Sequence, residues 1–116
     1  MTCFGLTTVV IKQIQQVFEQ YPEIDKVILY GSRAKGNYRN GSDVDLTLQG
    51  AKINLDILNR LSTELDDLLL PYTIDLSIYN HIDNKDLIQH IEKVGRVFYR
   101  GTLKESSSSN VLVGDL

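Results

Sequence analysis

Val10, Ile11, Ile14, Val17 and Phe18 recur at the three- and four-residue spacing of one apolar helix face and predict a helix over 7–20. Thr7 or Thr8 is placed to cap it, and Pro22 marks its end. The run Val27–Tyr30 is too short for periodicity to decide, but its β-branched and aromatic residues make it a strand, stopped by Gly31. Residues 31–41 then read as a loop with room for one helical turn at Ser32–Lys35. From Asp43 to Gln49 the pattern alternates: Val44, Leu46 and Leu48 face a core, while Asp43, Asp45 and Thr47 face the other way.

A second leucine-rich stripe, Leu55, Leu58, Leu61, Leu65, Leu68 and Leu69, predicts the longest helix over 54–70, capped by Asn54 and ended by Pro71. Tyr72–Ile78 alternates again, with Ile74, Leu76 and Ile78 inward and Thr73, Asp75 and Ser77 opposite. Asp83 is expected to cap a helix over 84–94 that stops at Gly95, and Arg96–Arg100 reads as a short edge strand. The order is α-β-β-α-β-α-(β), an α/β (α+β) domain. The helical crossover makes the second and third strands parallel, as neighbours or one strand apart. Residues 1–104 form the expected domain. Residues 105–116, opening on a serine run, read as a flexible tail in which Val111–Val113 is a possible contact segment.

Length and charge narrow the possible functions. One domain of 116 residues has a core but no room for a second folded unit. A net charge of -3 argues against broad nucleic-acid binding. No apolar run approaches the ~18 residues of a membrane span. The N-terminus lacks the basic and long apolar regions of an export signal. Cys3 is the one cysteine, so no internal disulfide or thiolate metal site can form, and an inert, half-buried thiol in a reducing cytoplasm is expected. His81 and His90 show no ligand spacing and carry no assigned role.

The chemistry lies in GSRAKGNYRNGSDVDL, residues 31–46. Gly31 permits a tight exit from its strand and a close backbone approach, and Ser32 opens a turn whose free N–H groups can meet an anion. Arg33, Lys35 and Arg39 make the connecting loop basic, with no acid among 31–42; Arg33 is the choice for a phosphate contact, while Lys35, Arg39 and Tyr38 need no role beyond a solvated loop. This is neither a Walker A loop nor a dinucleotide fingerprint. Asp43 and Asp45, on one strand face about 6–7 Å apart at the backbone, suit a hard divalent cation. Asp75 joins them if the second and third strands are adjacent. Three carboxylates can then hold two magnesium or manganese ions, with Asp75 orienting an attacking hydroxyl and taking its proton.

GSRAKG, then SDVDL, then TIDLSI, resembles the nucleotidyltransferase superfamily of DNA polymerase β, and more narrowly the minimal prokaryotic nucleotidyltransferases of the MntA type, over about residues 8–100. The resemblance implies a small mixed β-sheet with helices packed on one face and the carboxylates on the other. It implies triphosphate binding by Gly31 and Ser32, with Arg33 beside them, and two metal ions held by the catalytic residues Asp43, Asp45 and Asp75. It also implies ATP as the substrate, and AMP transfer to a tyrosine of a small helical HEPN-domain partner in a hetero-oligomer of toxin–antitoxin type. Two other functions fit the residues: a noncatalytic nucleotide-binding subunit of such a complex, and an adenylyltransferase for a small aminoglycoside-like acceptor.

Overall fold

The computed structural model describes residues 2–101. The chain opens with a two-strand hairpin, β1 (Thr2–Cys3) and β2 (Leu6–Thr7), followed by α1 (Thr8–Glu19), β3 (Lys26–Tyr30), the single turn α2 (Ser32–Lys35) and β4 (Val44–Gln49). Then come α3 (Leu55–Asp66), β5 (Ile74–Ile78), a 3-10 turn at Tyr79–His81, α4 (Lys85–Val94) and β6 (Arg96–Arg100). No described helix is long and apolar enough to cross a membrane. The expected tail over 105–116, with Val111–Val113, lies outside the described residues.

Each long helix forms where its apolar stripe and a cap coincide. Thr7 Oγ1 accepts from the Val10 N–H at 3.2 Å, and Ile14, Val17 and Phe18 make the buried face of α1. Asn54 Oδ1 accepts from the Ile57 N–H at 3.0 Å, and Ile57, Leu61 and Leu65 are buried on α3. The expected stripe loses both ends. Leu55 is 61% exposed on the first turn, and the helix stops at Asp66 rather than 70, leaving Leu69 88% exposed at φ 54°. The last turn tightens instead, through Leu68 N–H to Leu65 C=O and Leu69 N–H to Asp66 C=O. The cap of α4 is Asn84, which accepts from the Leu87 N–H at 3.1 Å, one residue beyond the expected Asp83.

The main sheet runs β5-β4-β3-β6. β3 is antiparallel to β4 and β6, whereas β4 and β5, joined through α3, are parallel neighbours as the crossover required. The strands start slightly later than the sequence suggested, at Val44 and Ile74. Val27, Leu29, Val44, Leu46 and Leu48 enter one core with Ile14 and Phe18 of α1 and Leu61 of α3. The opposite face is not left bare. Ile91 and Leu87 of α4 pack on Ile28 and Tyr30, so one helix covers part of the face expected to carry only carboxylates. Thr47, paired with Ile28, is fully buried there, and its hydroxyl donates to Ser77 C=O at 3.5 Å.

The opening hairpin had no clear sequence signal. Its two-residue turn puts Phe4 at φ 59° and Gly5 at φ 77°, the doubly left-handed geometry of tight hairpins, which is unfavourable for a side chain such as Phe4. The turn delivers Leu6 to the core at zero exposure and leaves Cys3 exposed rather than half-buried.

Beyond α1, the Tyr21 hydroxyl donates to the Glu64 carboxylate on α3. That bond pushes the phenol up to about 12. Tyr21→Phe should lower unfolding free energy by about 1 kcal/mol in urea titrations at neutral pH. Because the folded phenol is raised from 10.0 to about 12, this advantage is complete below 10 and disappears as the pH approaches 12.

Candidate active site

Gly31 follows β3 with φ 78° and ψ -157°, a backbone conformation that L side chains rarely adopt. A Cβ at this position would collide with Asp45 Oδ2, so glycine also provides the space in which the carboxylate lies. The chain then makes one turn. Lys35 N–H donates to Gly31 C=O at 3.1 Å and Gly36 N–H to Ser32 C=O at 2.9 Å, while Gly36 at φ 89° ends the turn. The amides of 32–34 precede the first of these bonds, leaving the Ser32 end of the turn rich in donors.

The carboxylates come from two neighbouring strands. Asp45 pairs with Asp75 across the parallel β4–β5 ladder and with Tyr30 across the antiparallel β3–β4 ladder. Asp43 is exposed, one residue before β4 begins. Burial raises the Asp45 carboxyl above its ordinary value, and Asp75 and Asp43 raise it further. The sheet thus holds negative charges together beside the Gly31–Ser32 turn.

Two residues behave differently from the sequence reading. Arg33 was expected to reach a phosphate, but it is 3% exposed and its guanidinium is engaged internally. Its Nε and Nη2 donate to Ser42 C=O at 3.1 and 2.8 Å, and Nη1 donates to Phe4 C=O at 2.8 Å. The Tyr38 and Tyr72 rings flank it at 5.3 and 5.1 Å. Arg33 therefore ties the turn to the residue before Asp43 and to the opening hairpin. Lys35 and Arg39 are exposed, in agreement with solvated loop charges. The second departure is His90, to which no role had been given. Its Nε2 accepts the Gly31 N–H at 3.1 Å, taking the amide expected to face a phosphate. His81 stays exposed in the 3-10 turn.

A profile described as "Polymerase beta, Nucleotidyltransferase" matches residues 12–102. The chain belongs to this nucleotidyltransferase family. A sequence relative is the provisionally named protein adenylyltransferase MJ0604 of Methanocaldococcus jannaschii, 32% identical over 71% of this chain and 74% of that protein. Among solved structures, a toxin–antitoxin complex with AMP-PNP aligns over 81% of this chain and 76% of its own, at TM-score 0.64 and 19% identity. A tri-AMPylated Shewanella oneidensis HEPN toxin with its MNT antitoxin aligns over 83% and 74%, at TM-score 0.59 and 16% identity. These structural likenesses establish the fold.

Asp45 and Asp75, paired across the ladder, and the exposed Asp43 offer carboxylate oxygens to a cation. Among the described residues, no three acidic, histidine or cysteine side chains close into a ready metal cage. An open set of Asp43, Asp45 and Asp75 fits magnesium, which is commonly held by one or two carboxylates together with substrate phosphates. Its fit is electrostatic too, because a cation would relieve the crowding that raises Asp45.

Two outcomes follow for the nucleotidyltransferase without ligands. Asp45→Asn should raise the thermal midpoint at pH 7, because it removes a charge that the fold disfavours. A raised folded pKa means that this cost is present at neutral pH and vanishes below the ordinary value of 3.8, so the gain should shrink as calorimetric scans move towards pH 4. Arg33→Lys keeps the charge but cannot satisfy two separated carbonyls with a planar fork, and should cost about 1–3 kcal/mol in chemical denaturation.

Proposed function

We propose that this nucleotidyltransferase transfers AMP from ATP to a hydroxyl of a bound protein, a tyrosine of a HEPN-domain partner, and releases pyrophosphate. The observation that carries the proposal is the pairing of Asp45 with Asp75 beside the Gly31–Ser32 turn. A turn rich in free amides lies beside an exposed carboxylate there, which suits an in-line transfer to an acceptor. The name of the M. jannaschii relative supports a protein as acceptor. The AMPylated HEPN toxin bound to its MNT antitoxin supports the partner's class, and the AMP-PNP complex supports an adenine nucleotide.

In this reading the Ser32 hydroxyl and the following amides hold the triphosphate. Asp43 and Asp45 would hold a divalent cation that meets the phosphates. A divalent cation at these carboxylates would neutralise phosphate charge and favour ionisation of the acceptor hydroxyl. Asp75, exposed on the edge strand β5, takes the proton from that hydroxyl. The acceptor oxygen bonds to the α-phosphorus as the bond to the β-phosphate oxygen breaks, and pyrophosphate carries away the electron pair. A cytoplasmic setting suits an ATP-using protein whose one cysteine is exposed as a free thiol.

Magnesium, ATP and the co-purified partner should together give a protein heavier by one or more AMP units in intact-mass spectra, with tyrosine found as the modified residue. No mass gain on any protein, with folded subunits and bound nucleotide, would leave a binding subunit as the better reading. Magnesium removal should sharply weaken ATP binding by calorimetry. Asp75→Asn should cut single-turnover transfer by about 10²–10⁴-fold while changing ATP–magnesium affinity far less. Near-normal transfer would remove Asp75 from the mechanism.

A further inference from the structure

His90 lies on α4 between Leu87 and Ile91, the residues that seat this helix on Ile28 and Tyr30. The imidazole is half-buried, edge-on to the Tyr30 ring at 6.2 Å, with Nε2 3.1 Å from the Gly31 nitrogen. Accepting at Nε2 requires a neutral ring with its proton on Nδ1. Gly31 is the residue on which several demands converge. Its φ is positive, its missing Cβ makes room for Asp45, and its carbonyl starts the α2 turn. His90 secures the other backbone polar group of this residue, its N–H, from an element 59 residues away.

We propose that His90 is a positioning residue for AMP transfer: by accepting the Gly31 amide it sets the α2 turn against Asp45 and leaves phosphate binding to Ser32 and the following amides. This proposal rests on the nucleotidyl-transfer reading. Without the imidazole, the Gly31 N–H loses its acceptor and the Tyr30–Gly31 peptide plane, which leads into the α2 turn, can rotate. Ser32 then moves relative to the carboxylate pair. Displacements of about 1 Å can cost ~10²-fold in rate when reacting groups must align, whereas a phosphate site made by several donors tolerates them better. The expected signature is therefore in turnover more than in binding.

Three variants of the full chain separate positioning from packing. Gln can place its amide oxygen near the imidazole Nε2 position, Asn only near Nδ1, and Leu has no acceptor. Single-turnover AMP transfer should fall about 10-fold or more for His90→Leu and His90→Asn, within a ~10²-fold ceiling for misplacement, with recovery in His90→Gln. Calorimetric affinity for ATP–magnesium should change much less in all three. In the wild type, ¹⁵N NMR should show a scalar coupling across the hydrogen bond from Gly31 N to His90 Nε2 and slow exchange of the Gly31 amide. That exchange should accelerate in the Leu variant when both proteins are compared well below their melting temperatures. No coupling, equal exchange, transfer by His90→Leu close to wild type, or equal impairment of the Gln and Asn variants would overturn the proposal. A wild type that transfers no AMP would overturn the reaction instead, and the coupling and exchange measurements would still decide the role of His90.

Discussion

The site depends on strand register. Asp45 and Asp75 sit side by side because β4 and β5 are parallel neighbours paired at that level, and the apolar core holds that pairing. Val44, Leu46 and Leu48 are completely buried on the reverse face of the same strand. A one-residue slip would turn them outward and drive acidic side chains into the core. The hydrophobic effect thus maintains an arrangement that electrostatics opposes: two like charges facing each other, one of them half-buried. Proteins accept such local opposition where a ligand uses it, and the stability it costs is supplied elsewhere in the fold.

Around this pair, the glycine-rich connection is restrained from several directions. Arg33 links its first turn to Ser42 and to the opening hairpin. The hairpin packs closely enough that a Cβ on Gly5 would lie 2.7 Å from Arg33 Nη1. Arg39 N–H closes onto Ser42 Oγ at 2.8 Å, so the segment approaching Asp43 is pinned at its end. Between these restraints, residues 35–41 remain exposed and basic. From the other face, α4 brings His90 to Gly31. A four-residue helical turn has little stability of its own. Its geometry is imposed by these contacts.

The boundaries of the elements show where local patterning stops being informative. The leucine stripe of 55–69 specified a helix and most of its buried face. However, Leu69 could not be separated from Leu65 by spacing alone, since both continue the same apolar stripe while the helix ends at Asp66. Asp83 and Asn84 are both good caps, and the structure uses Asn84, whose Oδ1 accepts the Leu87 N–H where α4 begins its packing on Ile28 and Tyr30. The opening hairpin was missed because Phe4 occupies a left-handed turn position more often taken by glycine or asparagine.

By itself the sequence determined the alternating strands, the helix faces, the parallel crossover and the spacing of Gly31, Ser32, Asp43 and Asp45. All of these follow from the periodicity of one chain segment or from a short connection between two segments. It also placed Asp75 on the polar face of its strand, leaving only the adjacency of β4 and β5 to be decided. Tertiary structure alone decided what Arg33 and His90 do. Composition marks the first as a cation suited to phosphate and the second as an isolated imidazole. Their actual partners, the Phe4 and Ser42 carbonyls and the Gly31 amide, are backbone groups. Every residue but proline carries an N–H and all carry a C=O, so no side-chain pattern marks which of them will be left for a distant side chain to satisfy. That depends on where the folded backbone brings its unpaired groups, and hence on the packing of the hairpin and α4 around the sheet.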